Sequence, residues 1–433
     1  MSLSYALEGD STHVNSAPTT AGLVDSTGGT GGQSAETSSG PYGPSNDLWL
    51  TQEVDRLTSM QRALPSDGLL LTRGKWSCER RTASDIVLVG TMHFHNLSDR
   101  RELFIPELRA EATLLASDSL RNVITHTEVV PRHTGKYAVS ARPDGYWQAF
   151  ILEAGKTTSI EARVSIRAPD EQTSLDFLQA VWFRVHYIAY GPHGRTPHTQ
   201  HAILPLSFPQ ADTATPQWRK AGPRAQVLPI RTHLLSHLDD PLAIFNRYVL
   251  PHARPGDILA LGETPLAIMQ GRFRHPSSLR LSWVALWACR LFHPTSSLAT
   301  ACGMQALVDI VGQLRVVAAA LLAGVARLLR IRGMFYNLAG EQARLIDDVS
   351  GTLPPYDQFI CLGPVRPQQT VDALRERTGV EAAIVDVNDL RKCQVLAASR
   401  GVDPQALAAA LLDNPAGNAD EQTPLVLVRI EPQ

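Results

Sequence analysis

The chain has 433 residues, with 40 basic against 42 acidic side chains, 44% apolar and 19% charged residues. Such a length exceeds one ordinary domain, and the near-neutral balance excludes a general nucleic-acid binder, which carries a strong basic excess. The cysteines Cys78, Cys289, Cys302, Cys361 and Cys393 are odd in number, widely spaced and without a CxxC pair. They argue against a disulfide framework or a thiolate zinc site and for reduced thiols, as expected of a cytoplasmic protein.

Residues 1–46 are rich in Gly, Ser and Thr and lack apolar periodicity, so they read as a disordered tail. No basic stretch followed by an apolar core opens the chain, so no secretory signal is expected. The Gly-rich run Ser26–Ser34 is followed by no Lys-Ser/Thr and is not a phosphate loop.

Residues 47–209 are predicted to begin with a short helix over Trp49–Ala63. Strands then follow at Ile86–Phe94, Leu103–Leu108, Ala112–Leu115, Val123–Val130, Trp147–Leu152, Thr158–Ile166, Val181–Tyr190 and Ala202–Phe208. Alternation is clearest in Thr158–Ile166, which puts Ile160, Ala162, Val164 and Ile166 on one face. This pattern predicts an antiparallel, immunoglobulin-like β-sandwich that could serve a protein partner. His193, His198 and His201, with Pro192, Gly194 and Pro197, read as a polar hairpin loop whose spacing fits no standard zinc site.

Residues 210–223 form a polar, proline-containing linker, and 224–433 read as a mixed α+β unit. Helices are predicted at Asp240–Leu250, Leu279–Phe292, Ala301–Val311, Leu314–Ile331, Pro367–Thr378 and Pro404–Leu412. Strands are predicted at Asp257–Leu261, Phe359–Leu362, Ala382–Val387 and Pro424–Ile430. The longest apolar run, Val316–Ala326, is too short for the roughly 20 residues a membrane span needs. A buried helix, rather than one lying on a membrane, is expected there, with Met304 and the leucines of 314–331 in the core. No Gly-x-Ser-x-Gly, HExxH or GxGxxG motif occurs, so serine hydrolase, zinc protease and simple Rossmann chemistry lack support.

Oxygen-bearing side chains gather at two strand–loop junctions: Asp347 and Asp348 before a Gly-Thr-Leu-Pro-Pro turn, and Asp386, Asn388 and Asp389 after an apolar strand. Hard divalent cations take such ligands, and α/β strand ends are where ligand sites form. Gly271-Arg272 could present an arginine to an anion, and Glu263 at a strand end could be a ligand or general base. Against each stands a bland alternative: capped loops, a tight turn, a rim carboxylate.

Three stretches carry a family resemblance. They are Leu228-Pro-Ile-Arg-Thr232 followed by Asp239-Asp240; Gly256–Glu263 running into Gln270-Gly-Arg272; and Ile346-Asp-Asp-Val-Ser-Gly351. The last is similar to a Ser-Asp-Thr-x-Gly metal motif, with Asp348 on its aspartate. Together the 200 or so C-terminal residues resemble the gamma-glutamyl ligases that add glutamate to the deazaflavin coenzyme F-420. Thr264 stands where the family has lysine and Gln270 where it has glutamate, so the resemblance is to a divergent branch.

The resemblance implies a ligase that joins glutamate, or another amine, to a small-molecule carboxylate acceptor through an acyl phosphate. GTP or ATP would be the co-substrate, with Mg2+ or Mn2+. Asp347, Asp348, Asp386, Asn388 and Asp389 would hold metal; Arg231, Gly271, Arg272 and Gly351 would bind nucleotide or anionic substrate; Glu263 and Asp240 would act in catalysis. It also implies a homodimer. The alternative is a non-catalytic binding or assembly protein that keeps the fold.

Overall fold

The computed structural model describes residues 67–120, 122–133, 142, 144–192, 194–211, 216–331, 333–348, 353–388, 391–417 and 421–431. The expected tail and the expected helix at Trp49–Ala63 lie outside these.

Among the described residues ten strands build the first lobe: β1 (Leu69–Leu71), β2 (Lys75–Arg81), β3 (Asp85–Asn96), β4 (Leu103–Ile105), β5 (Leu108–Ala116), β6 (Ile124–Arg132), β7 (Phe150–Leu152), β8 (Thr157–Arg167), β9 (Leu178–Gly191) and β10 (Gly194–Pro205). All pair antiparallel. One sheet runs β1-β3-β8-β6 with β2 also on β3; the other runs β10-β9-β4-β7 with β5 also on β9. The alternation read from β8 is observed, since Ile160, Ala162, Val164 and Ile166 are all fully buried between the sheets. They meet Phe183, Val185, Ala202 and Leu204 of the opposite sheet, the expected arrangement of a sandwich. Gly90 of β3 lies under Trp76, and a Cβ there would come within 2.4 Å of the indole. Only glycine permits this approach.

The expected histidine hairpin loop is corrected. Gly194–Pro205 is one long strand paired with β9 along its whole length, and it carries His198 and His201. His198 bonds Asp67 at 2.6 Å, and His201 is buried.

The second lobe is a mixed sheet between helices. Its strands are β11 (Arg219–Lys220), β12 (Ala225–Ile230), β13 (Asp257–Gly262), β17 (Glu381–Asn388), β18 (Lys392–Ala398) and β19 (Leu425–Ile430). Between β13 and β17 in sequence come β14 (Phe273–Arg274), β15 (Asp347–Asp348) and β16 (Ile360–Cys361), a small separate sheet. The main order is β11-β12-β19-β13-β17-β18, with β13 and β17 parallel and the other pairs antiparallel. Apolar side chains cover both faces: Phe245, Tyr248, Leu266 and Leu374 on one, Val402, Leu407 and Leu411 on the other. This explains why β13 reads as an unbroken apolar run.

The helices are α1 (Pro241–Ile244, continuing as a wider π turn over Phe245–Val249), α2 (Glu263–Met269), α3 (Trp283–Ala288), α4 (Ala301–Val311), α5 (Gln313–Leu328), α6 (Met334–Ala339), α7 (Pro367–Thr378) and α8 (Pro404–Leu411). Pro367 opens α7, and Gly379 closes it with φ +73°, a left-handed cap that glycine adopts without strain. The core role expected for the leucines of 314–331 is overturned. Val316, Ala319, Ala320 and Ala326 face the interior, while Leu314 is 88% and Leu328 84% exposed. Small residues let α5 sit close to α3 and α4, which turns its leucines outward.

More than a linker joins the lobes. In β9 the alternation fails at Ala180–Phe183, where both faces are buried. The outer face, with Trp182, packs against Phe273, Tyr356 and Phe359 of the second lobe. His201 stacks on His275 at 4.8 Å, and burial together with that neighbour pushes its pKa down to about 2. Arg73 crosses the seam to donate to the carbonyls of Gly271 (2.8 Å) and Phe273 (3.1 Å), and it lies over the Phe273 ring.

Candidate functional site

The order of the main sheet decides where a ligand can bind. Because β12, β13 and β17 run the same way and β19 runs against them, three carboxyl ends and the start of β19 share one edge. Backbone bonds tie that edge together: Gly262 N–H donates to the Pro424 carbonyl (3.1 Å) and Thr232 N–H to that of Gln422 (3.0 Å). A cleft of about 500 Å³ opens there, large enough for a small-molecule ligand.

Glu263, Asp347 and Asp386 line this cleft from three elements. Glu263 is the first residue of α2, directly after β13. A first-turn carboxylate ordinarily gains about 0.3–1 kcal/mol from the helix dipole. Burial outweighs that here and, with the negative charges of Asp386, Asp347 and Glu341, pushes Glu263 up to about 9. Its Oε2 is buried with no hydrogen-bond partner. Asp347 comes from β15 and is pushed up to about 6, first by burial and then by Asp386; Thr264 Oγ1 lies 3.4 Å from its Oδ2. Asp386, near the end of β17, is raised by burial. Among the described residues none of the three forms an ion pair, and Arg344 is the cationic lining residue. A buried acid facing two half-buried ones is costly to stability, and such groupings mark functional sites.

Asn388 also lines the cleft. The backbone of Asp348 pairs with Ile360 in β15. Gly351 and Asp389 lie outside the described residues. The remaining sequence-derived candidates stand elsewhere. Asp240 caps α1, accepting from Leu242 N (2.9 Å) and Ala243 N (3.2 Å). Arg231 is exposed and does not line the cleft. Arg272 is buried and donates to the Gly363 carbonyl (2.6 Å) and Gln342 (3.1 Å), holding the chain after β16. Gly271 has φ +67°, and its carbonyl accepts from Arg73. These four residues have structural partners or positions away from the carboxylates.

Sequence reasoning missed His233. Its Nε2 bonds Asp239 at 2.9 Å and its Nδ1 bonds Tyr248 at 2.7 Å, which fixes the ring at the cleft wall. The one signal for it was its place just after the strand that ends at Ile230. Among the described residues no three His, Cys, Asp or Glu side chains converge closely enough to hold one metal ion by themselves. The donor set is nevertheless all oxygen, and the orphaned Oε2 of Glu263 is a site where a cation would restore the lost solvation.

No curated protein gives a match to the chain. Among solved structures, the GAE domain of GGA2p from Saccharomyces cerevisiae matches at 14% identity and TM-score 0.19, over 33% of this chain and 93% of that one. The yeast GGA1 GAE domain matches at 13% and 0.19, over 33% and 95%. A FixG-related protein from Vibrio parahaemolyticus matches at 10% and 0.17, over 32% and 96%. At such TM-scores these likenesses bear on neither fold nor function. Residues 70–208, the sandwich built by β1 to β10, match the family model described as "F420-0:gamma-glutamyl ligase, N-terminal Ig-like domain".

Proposed function

We propose that the chain is a nucleotide- and metal-dependent ligase-like enzyme that joins glutamate, or another amine, to a carboxylate acceptor at the cleft formed by β12, β13 and β17. The observation that carries this reading is the trio Glu263, Asp347 and Asp386 lining one cleft, with Glu263 buried and one of its oxygens left unpartnered and the two aspartates half-buried beside it. The sandwich's match to a ligase-associated Ig-like domain supports it. Magnesium or manganese suits the oxygen donors, with one or two of Glu263, Asp347 and Asp386 as ligands and Asp348, Asn388 and Asp389 as further candidates. Magnesium commonly takes only one or two carboxylates and completes its shell with water and phosphate oxygens, so three converging protein ligands are not required. Bound metal would neutralise the phosphate charge of GTP or ATP.

The chain's own groups have distinct tasks in this scheme. Arg344 offers the cleft a positive charge for an anionic substrate. His233, held by Asp239 and Tyr248, presents a fixed wall rather than a free base. The apolar lining from Leu234, Ile268 and Val385 limits water around an acyl phosphate. A cytoplasmic homodimer is part of the same reading.

A second reading, a binding or assembly protein without catalysis, draws on Arg272. A side chain fully engaged with Gly363 and Gln342 is poorly placed to hold substrate. Calorimetric titration of GTP and ATP with magnesium or manganese separates the two. Ligase chemistry expects metal-dependent binding that weakens about tenfold, or ~1.4 kcal/mol, in Asp347→Asn. Wild-type protein that binds neither nucleotide favours the binding reading.

A further inference from the structure

The strongest unassigned feature is the outer surface of α3 and α5, which pack side by side through Val284, Ala285 and Ala288 against Val316, Ala319 and Ala320. Trp283, Leu286 and Trp287 are exposed on α3 at helical spacing. Leu321, Leu322, Val325 and Leu328 are exposed on α5 in the same way. Both helices are thus apolar on the inward and the outward side. A soluble helix normally keeps its outer face polar, and this many exposed apolar side chains on two packed helices mark a contact surface.

Charge identifies the occupant. From Phe273 to Gly340 the chain has seven arginines, no lysine and a single acidic residue, Asp309. Asp309 is already paired with Arg274 and bonded by Gln305. Arg290, Arg327 and Arg330 are exposed beside the leucines. A second copy of the chain would set arginine against arginine, with no local carboxylate to offset the repulsion. An anionic lipid surface supplies the missing negative charge and takes up the leucines and tryptophans as well. Tryptophan is the residue that settles at the headgroup level.

Among the described residues no single helix is long and apolar enough to cross a membrane. The 16 residues of α5 reach about 24 Å, short of the ~30 Å hydrocarbon layer. Α bent pair formed with α4, angled by 114°, cannot cross as one rod either. A helix of this kind lies in the interface, its apolar side among the acyl chains and its arginines at the headgroups.

We propose that the face formed by α3 and α5 docks the protein on an anionic membrane surface, through Trp283, Trp287, Leu321 and Leu328 with Arg327 and Arg330. The test is co-sedimentation of the full chain with two vesicle preparations, phosphatidylcholine alone and phosphatidylcholine with about 30% phosphatidylglycerol. Binding is expected to the anionic vesicles only and to weaken in high salt. The double variant Leu321→Glu/Leu328→Glu should lower vesicle affinity about tenfold or more. Both side chains lie outside the core, so the melting temperature should hold. Arg327→Gln/Arg330→Gln, which leaves the apolar area intact, should also weaken binding and flatten its salt dependence.

Failure to sediment with anionic vesicles overturns the proposal, as does equal binding to both preparations or indifference to both variants. Light scattering covers the remaining occupant. A wild-type dimer that Leu321→Glu/Leu328→Glu converts to monomer, with no vesicle binding, assigns the face to a second copy and overturns the membrane.

Discussion

In the sandwich, Glu79 faces Arg163 at 2.8 Å, Asp85 faces Arg80 at 2.7 Å, and Glu161 faces Arg132 at 3.0 Å. In the second lobe, Glu263, Asp347 and Asp386 face one another across a cleft wall. The first set is solvated, paired and exchangeable. The second is buried at Glu263 and half-buried at the two aspartates, forms no ion pair among the described residues, and is unfavourable for folding at Glu263. What sets the cleft acids apart is that they face one another, so that the charge of one raises the cost of ionising its neighbour. The same contrast separates the acidic cleft from the arginine-rich face of α3 and α5, so opposite charges collect on different parts of one lobe.

The largest effect is expected where the lobes meet. Trp182→Ala empties the seam between Phe359 and His201 and should cost about 3–5 kcal/mol. Thermal unfolding of the full chain would read it. If the lobes were independent units joined only by residues 210–223, the loss would appear in one transition and leave the other untouched. A shared seam predicts that both move.

The next prediction concerns the cleft. Glu263 has its folded pKa raised from 4.5 to about 9, so between those values the folded state holds a proton that the unfolded state has released. Stability from this group is therefore full below about pH 4.5 and lost as pH climbs towards 9. In chelator-treated buffer, the wild-type melting temperature should fall between pH 5 and pH 8 more steeply than that of Glu263→Gln. Parallel curves would mean that the carboxylate is not held as buried and uncompensated as described.

The smallest effect belongs to the sandwich surface. Arg163→Ala should change stability by less than ~1 kcal/mol, because its pair with Glu79 is exposed on both sides. A larger loss would erase the distinction between paired surface acids and strained cleft acids.

Much of the sandwich was legible in the sequence because its alternation has period two and one face is dry, as at Ile160–Ile166. The helix Pro367–Thr378 was legible because a proline, two arginines and a glycine punctuate it. The orientation of α5 was not. Periodicity identifies an apolar stripe, and in a helix apolar on two sides it cannot say which stripe is inside. Alanine on one side and leucine on the other was the available signal, since close helix packing favours the smaller residue.

The cleft was legible only in parts. Asp347 and Asp386 stood out as acids near strand ends, but the meeting of β12, β13 and β17 depends on a sheet order that departs from chain order. His233 was hidden for that reason. Arg272 looked available because a Gly-Arg turn says nothing about the carbonyl of Gly363, 91 residues further on. The ligase resemblance was first visible in the second lobe, whereas the family match falls on the sandwich.

Arg73 gives the seam a mechanical meaning. It holds the carbonyl of Gly271, two residues beyond the end of α2, and Glu263 stands at the other end of that helix. Seven helical residues make a strut of about 10 Å. A load applied to the sandwich by anything that binds it is thus delivered, through one guanidinium and one short rod, to the carboxylate in the cleft.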